Sequence, residues 1–167
     1  LTAKKTFIIV GGSDALLLFG IGIMYSQSGS FQMDAIKLHL NNSQGVWAYV
    51  CVAIACFAKA GAMPFHTWIP DCAENAPIPV SAYLPASLDK LLGIYLLARI
   101  SMDLFVLNKA MQTFLLFIGA FTIVAAVMMA LVQHDFKRLL GYHAVSQVGY
   151  MVLGIGSGNP VGIAGGI

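Results

Sequence analysis

The hydrophobic and polar positions of the chain alternate in long blocks rather than at the short periods of a soluble domain. Apolar runs cover residues 7–25, 46–65, 81–100, 111–131 and 139–155, and a further run begins at 160. A helix of about 20 apolar residues spans the hydrocarbon core of a bilayer. The pattern therefore predicts an all-α fold, a polytopic bundle of about five transmembrane helices in a single domain. The polar segments 26–45 and 70–79 are predicted to be loops.

Composition places the chain in the membrane class. Hydrophobic residues make up 59% of the 167 positions and charged residues 10%, and the mean hydropathy is +0.82. This balance excludes a soluble globular domain. The net charge of +2 excludes nucleic-acid binding and a polybasic membrane patch. The lipid bilayer is therefore the first partner that the sequence implies.

The cysteines do not indicate a metal site. Cys51, Cys56 and Cys72 lack the CxxC spacing and the histidine partners that ligands of zinc or of an iron–sulfur cluster show. Cys51 and Cys56 fall in an apolar run, where cysteine packs as a small hydrophobic residue. We expect this chain to bind no metal and no cofactor of its own.

The second apolar run contains a predicted helix break next to a lysine. Pro64 has no N–H group and its ring clashes with the carbonyl of Ala60, so the helix should break or kink there. Irregular backbone at membrane depth is tolerated where it lines a wet cavity, and discontinuous helices build ion sites in transporters. Lys59 lies within a turn of this break. Two interpretations stay open: an ion-path lysine, or a lysine that snorkels to an interface at residues 66–70.

Charged residues also fall inside the other runs. Lys90 lies near the middle of the third run, which has Pro85 in its first turn, and a lysine at that depth is costly and indicates function. Asp89 precedes it, but adjacent residues on a helix face different directions. Asp14 lies inside the first run, at a cost of about 3 kcal/mol unless it is paired, hydrated or protonated. For Asp14 and Asp89, a structural hydrogen bond and a transport role both stay open.

The fifth run carries a polar pair. His143 and Gln147 are one helical turn apart and share a face of the predicted helix. They could line a polar seam, either as an interhelical hydrogen-bonding pair or as part of a proton relay. The sequence does not favour one of these alternatives over the other.

Basic residues in the loops indicate how the chain is oriented. Those on the side of the amino terminus outnumber those on the opposite side: Lys4, Lys5, Lys137 and Arg138 against Lys37, Arg99 and Lys109. Because cytoplasmic loops carry the excess of Lys and Arg, the amino terminus of the chain is predicted to be cytoplasmic.

Several motifs together carry a resemblance to a known family: FAKAGAMPFHTWIPD, then APIPVSA, then a run with a central lysine, then HDFKRLLGYHAVSQVGYM. They resemble the antiporter-like, proton-translocating subunits of respiratory NADH:quinone oxidoreductase (complex I). The same family includes the large subunits of Mrp sodium/proton antiporters and the membrane arms of energy-converting hydrogenases. The resemblance implies a larger inverted-repeat transporter fold with a broken helix in each repeat. We interpret the chain as an internal fragment of such a protein, since it lacks an initiator methionine and ends within an apolar run.

The resemblance also implies roles for individual residues. Lys59 matches the family's lysine on the broken helix, which implies a proton-accepting site. Lys90 matches the central lysine or histidine of the next helix, which implies the connecting group of a hydrated path. In the family, the first lysine pairs with a glutamate of an earlier helix, which lies outside this chain.

Three functions remain as alternatives. The first is a proton-translocating subunit of a redox-driven complex, of the NADH:quinone oxidoreductase or membrane-bound hydrogenase type, with every redox centre in other subunits. The second is an Mrp-type sodium/proton antiporter subunit. The third is a structural membrane subunit whose buried charges only hold helices together. All three imply other membrane subunits as partners in a prokaryotic inner membrane, and the first two imply protons, or protons and sodium, as the transported ions.

Overall fold

The structure of the protein is a computed structural model that describes residues 1–40, 42–84 and 88–167, with the side chains of all of these except Ala35 and Asp89. It confirms the all-α class. The described residues form the helices α1 Thr2–Thr6, α2 Gly12–Ser28, α3 Ser43–Ala60, α4 Trp68–Asn75, α5 Ile78–Tyr83, α6 Asp89–Arg99, α7 Lys109–Leu131, α8 Phe136–Gly156 and α9 Pro160–Gly166. π-helical turns at Phe7–Gly11 and Ile100–Leu104 join α1 to α2 and extend α6.

The long helices have membrane dimensions. Three stretches of the described residues are long and apolar enough to cross a membrane: Thr2–Ser28, Ser43–Asn75 and Lys109–Leu131. α8, with 21 residues, is about as long as the hydrocarbon core is thick. With α5 and α6, these stretches form a polytopic helical bundle. Pro85, predicted for the first turn of the third span, falls outside the described residues.

The second span differs from its predicted extent. α3 ends at Ala60, where the position of Pro64 predicts a break. The chain becomes helical again in α4, and the stretch Ser43–Asn75 forms one candidate span. The predicted start of a loop at Pro70 is therefore wrong, and the interface at 66–70 stays a prediction. Pro70 is the third residue of α4. The N–H groups of the first turn of a helix have no intrahelical acceptor, so the N–H that proline lacks costs little there. The break therefore lies within this candidate span.

One end of the bundle is closed by a two-stranded ribbon. The connection predicted as a loop from residue 26 begins only after α2 ends at Ser28, where Gly29 caps the helix with a left-handed φ of 67°. Within it, β1 (Leu38–His39) pairs in parallel with β2 (Phe105–Val106). Lys37 adjoins β1 and Lys109 begins the helix after β2. These two cations therefore lie at the same end of the bundle, as the predicted topology requires.

An ion-pair network joins three helices at the opposite end. Lys5 Nζ lies 2.6 Å from Asp71 Oδ2, and the guanidinium of Arg138 lies 3.7 Å from Asp71 Oδ1 and 3.1 Å from Glu74 Oε2. The network links α1, α4 and α8, so the cations Lys5 and Arg138 share one end of the bundle. Which end faces the cytoplasm stays a prediction.

Two apolar clusters fill the bundle. The larger cluster packs α2, α3, α6, α7 and α8 together around fully buried side chains that include Tyr49, Leu97, Leu115 and Val148. The smaller cluster lies around the break and consists of Met63, Trp68, Ile69, Ala126 and Val145. α7 and α8 approach closely because Gly119 has no side chain: a Cβ there would stand 2.9 Å from the carbonyl oxygen of Gly149. The break is thereby packed against a tightly joined helix pair.

Candidate ion site at the broken helix

Glycine shapes the end of α3. Gly61 has φ 78° and ψ 31°, a left-handed conformation that residues with a Cβ rarely adopt. The N–H groups of Gly61 and Ala62 both donate to the carbonyl oxygen of Phe57, at 2.8 and 2.9 Å. Because the two donors share one acceptor, the carbonyl oxygen of Ala58 receives no N–H from the described backbone of the break.

Two side chains complete the hydrogen bonding of the break. The indole N–H of Trp68 donates to the carbonyl oxygen of Ala58 at 3.0 Å. The N–H of Met63 donates to the hydroxyl oxygen of Thr122 on α7 at 3.2 Å. Trp68 is 1% exposed and Thr122 0%, and an unpaired peptide group so deeply buried would cost about 1–3 kcal/mol. These bonds therefore stabilise irregular backbone inside a membrane span.

Lys59, in the last turn of α3, forms an ion pair with Asp14. The distance from Lys59 Nζ to Asp14 Oδ1 is 2.6 Å, and the two side chains are 23% and 49% exposed. Asp14 follows the π-helical turn Phe7–Gly11, and such turns are frequent at functional sites. Because the charges are opposite and adjacent, each lowers the cost of placing the other inside the membrane.

Asp14 also lines a cavity of about 620 Å³ between α1, α4 and α5. The polar side chains of Thr2, Thr6 and Asn75 share its lining. Thr2 begins α1 and Asn75 ends α4, so the cavity extends from Asp14 toward the end of the bundle that carries the ion-pair network. A cavity of this size with several polar groups can hold water. The carboxylate of Asp14 therefore borders a space large enough for several water molecules.

Lys90 lies on α6, which packs directly against the end of α3. The contact is made at Gly93, where a Cβ would stand 2.6 Å from the nitrogen of Ala60 and 2.8 Å from the carbonyl oxygen of Cys56. Lys90 is one turn before Gly93, and Lys59 is adjacent to Ala60. The close approach therefore places both lysines within a turn of one helix contact. Within the described residues, Lys90 is half-buried and has no ion pair.

The other predicted site residues are not brought to this pair. His143 and Gln147 share a face of α8, as predicted, and both are exposed in the described chain, while the opposite face of α8 is buried. Asp89 begins α6, but its side chain is outside the described residues. In the part of the chain that the structure describes, no group of three His, Cys, Asp or Glu side chains could hold a metal ion.

Sequence reasoning misses two members of the site, Trp68 and Thr122, and the pairing of a third, Asp14. Asp14 is singled out there but not paired with Lys59, because a sequence does not show which spans are neighbours, and the resemblance places the lysine's partner outside the chain. Trp68 lies in the PFHTW motif, and a buried indole needs an acceptor for its N–H, which is a usable signal. Thr122 is a hydroxyl in an otherwise apolar run, and such hydroxyls often bond between membrane helices.

The fold and the site together define a class: a polytopic helical membrane protein whose broken helix holds a lysine–carboxylate pair beside a cavity, as in ion-coupled transporters. The family model described as "NADH:quinone oxidoreductase/Mrp antiporter, TM" matches residues 2–167. The chain belongs to this family, and the resemblance stated from its motifs is confirmed.

Comparisons with individual proteins agree with the family. The chain is 36% identical over 164 residues to chloroplastic NAD(P)H-quinone oxidoreductase subunit 5 of Chaetosphaeridium globosum, covering 93% of this chain and 24% of that protein. A chain of respiratory complex I from Thermus thermophilus is similar with a TM-score of 0.86 and 25% identity, over 99% of this chain and 36% of that one. A chain of the Mrp complex from a Dietzia species shares the fold, with a TM-score of 0.92 and 22% identity, over 99% of this chain and 31% of that one.

These matches establish the chain as an antiporter-like membrane subunit. It spans about a quarter of the curated relative and about a third of each of the two solved chains. The two similar chains of known structure come from multi-subunit assemblies, the Mrp complex and respiratory complex I.

Proposed function

We propose that this chain is the part of a proton-translocating subunit in which Lys59 takes up and releases the transported proton. The observation that carries the proposal is the 2.6 Å ion pair between Lys59 and Asp14 at a helix break, beside a cavity that Asp14 lines. Ionisable groups inside a membrane are rare, and paired ones mark ion paths. Family membership supplies the setting, since a relative is named as a quinone oxidoreductase subunit.

The pair gives Lys59 two states. With the carboxylate of Asp14 at 2.6 Å, the ammonium form is stabilised. When the carboxylate moves away, the ammonium group is left without its counter-charge inside the membrane, and transfer of its proton to the path removes that unpaired charge. Asp14 is the more exposed partner, 49% against 23%, and it borders the cavity, so it is the member that can turn toward water. An electrostatic change in a neighbouring subunit would drive the exchange.

Lys90 is the next group of the proposed path. Water between α3 and α6 would carry the proton from Lys59 to Lys90, since both lie within one turn of the contact at Gly93. His143 and Gln147 are on the exposed face of α8 and receive no role in this path. We assign the redox chemistry to other subunits, the location to a prokaryotic inner membrane, and the end with Lys5 and Arg138 to the cytoplasmic side.

An Mrp-type sodium/proton antiporter is the second candidate. The family description includes Mrp antiporters, and the Mrp chain shares the fold with a TM-score of 0.92. In that case the same pair would exchange protons against sodium, and transport would need no electron donor. The source of the driving force therefore separates the two candidates.

The test uses the full-length protein in its complex, in inverted membrane vesicles. Proton uptake is followed with a pH-sensitive dye, once with NADH as electron donor and once with a sodium gradient alone. The variants are Lys59→Ala and Lys90→Ala, with Lys109→Ala as the matched control, because Lys109 is exposed at the ribbon end of the bundle. Native gels check that each complex assembles.

We expect both site variants to assemble and to lose NADH-driven uptake, while Lys109→Ala keeps it. Uptake driven only by the sodium gradient, lost in the same two variants, would select the Mrp-type function. Normal uptake in assembled Lys59→Ala and Lys90→Ala complexes would refute both functions and leave the buried charges a structural role.

A further inference from the structure

We propose that Thr122 is a positioning residue for Lys59. Its hydroxyl on α7 accepts the N–H of Met63, the one N–H of the broken segment that the segment cannot pair itself. This bond fixes the backbone that presents Lys59 to Asp14. The inference rests on the proposed function, since it concerns the geometry of the same ion pair. It adds a residue on another helix, 59 positions from the N–H group that it binds.

Of the N–H groups from Gly61 to Phe65, only that of Met63 pairs outside the segment and the end of α3. Those of Gly61 and Ala62 donate to Phe57 O, and that of Phe65 donates to Ala62 O at 2.8 Å. Pro64 has no N–H group. The remaining N–H belongs to Met63, which is 3% exposed, and its acceptor is Thr122 Oγ1 at 3.2 Å. The described break thus depends on one hydroxyl from outside its own segment.

The orientation of this hydroxyl differs from that of other threonines in the chain. Threonine in a helix commonly bonds to a carbonyl one turn earlier, as Thr113 does with Lys109 O at 2.8 Å and Thr6 with Thr2 O at 3.2 Å. Those bonds stay within one helix. Thr122 instead lies fully buried on the inner face of α7 and accepts from another span. Its hydroxyl therefore connects two elements rather than one.

The helix that carries Thr122 is held firmly enough to act as a reference. α7 packs against α8 through Gly119 and Gly149, with almost no space for a Cβ at either position. One turn beyond Thr122, Ala126 packs in the smaller cluster with Trp68 and Val145. The bond to Met63 therefore fixes the break against a rigid helix pair.

Loss of the hydroxyl would be transmitted to the ion pair through a short path. Met63 lies only one turn beyond Lys59, and Gly61 between them is conformationally permissive. An unpaired Met63 N–H would favour other backbone conformations of the break in which it finds an acceptor. Each of these would shift the last turn of α3, which carries Lys59.

The experiment compares two pairs of variants that differ only by the hydroxyl: the parent with Thr122→Val, and Thr122→Ser with Thr122→Ala. Thr113→Val is the matched control, because it removes a threonine hydroxyl from the same helix without touching the break. Lys59→Ala is measured alongside. The readout is NADH-driven proton uptake per NADH oxidised by the full complex in inverted vesicles, with assembly checked on native gels.

We expect Thr122→Val to lower uptake about five-fold, which corresponds to about 1 kcal/mol at about 1.4 kcal/mol per factor of ten. In Thr122→Ala, uptake should fall by the same factor or further. Uptake should be near the parent value in Thr122→Ser and equal to it in Thr113→Val. If Thr122→Val fails to assemble, the Ser and Ala variants make the same comparison.

Unchanged uptake in Thr122→Val, or equal loss in Thr122→Ser and Thr122→Ala, would overturn the inference, because the hydroxyl would then not matter. Assembly that fails in both hydroxyl-free variants and not in Thr122→Ser would also overturn it and give Thr122 a purely structural role. Normal uptake in Lys59→Ala would instead refute the proposed function, and Thr122 would have no lysine to position.

Discussion

Replacing Asp14 by asparagine is the sharpest perturbation of the site, because it removes the charge of one partner and keeps its shape. At 2.6 Å, two unit charges attract with about 1.6 kcal/mol in water and about 6 kcal/mol at an effective dielectric constant of about 20. Asp14 is 49% exposed, so screening by solvent places the effect near the lower limit, at about 2 kcal/mol. That corresponds to about a 25-fold shift between the paired and unpaired states of Lys59.

The assay is NADH-driven proton uptake by the full complex in inverted vesicles, for the parent, Asp14→Asn and Asp103→Asn. Asp103 provides a matched control, since its Oδ2 also lies 2.6 Å from a cation, Arg99, and its side chain is 43% exposed. Arg99 is the last residue of α6 and Asp103 lies one turn later, so this pair is remote from the break. We expect uptake to fall at least about ten-fold in Asp14→Asn, with Asp103→Asn close to the parent.

An assembled Asp14→Asn complex that takes up protons as fast as the parent would contradict a role of the carboxylate in transport. Equal losses in Asp14→Asn and Asp103→Asn would contradict it too, because the effect would then follow from removing any short ion pair. A selective loss at Asp14 would show that the carboxylate beside Lys59, and not charge balance in general, governs transport.

Two further variants test the packing around the pair. Gly93→Ala should destabilise the assembled protein by about 1–3 kcal/mol, because the new Cβ would stand 2.6 Å from Ala60 N. Thermal unfolding measures this loss. The control is Gly22→Ala, whose Cβ meets nothing within 4 Å and which should leave the stability unchanged or raise it. Trp68→Phe should cost about 1–3 kcal/mol by leaving Ala58 O without its donor at 3.0 Å. The exposed Trp47→Phe serves as its control in the same unfolding assay, and equal melting of the two Trp variants would contradict the assigned bond.

The sequence is informative about the fold because lipid restricts the possibilities so strongly. Apolar runs of membrane length can only be helices, and a proline within such a run can only break or kink one. The all-α bundle and the broken second span could therefore be predicted. The extent of that span could not, because Pro70 reads as the start of a loop and is instead tolerated in the first turn of α4.

The site is harder to predict for a different reason. Lys59 stands out because a lysine is expensive in lipid, and Asp14 stands out for the same reason. That these two form one pair depends on α2 packing against α3, and no periodicity or spacing encodes which helices are neighbours. Thr122 is weaker still as a signal, since a single hydroxyl in an apolar helix usually bonds to its own backbone.

The break is consequently a junction of three separate parts of the chain rather than a property of one motif. The span before it supplies Asp14, α4 supplies the indole of Trp68, and α7 supplies the hydroxyl of Thr122. Each contact satisfies a group that the broken helix exposes and cannot pair alone. Any motion that shifts α7 or α2 relative to α3 must therefore change the environment of Lys59. For the proton site proposed at Lys59, this is the physical requirement for coupling to events elsewhere in a membrane complex.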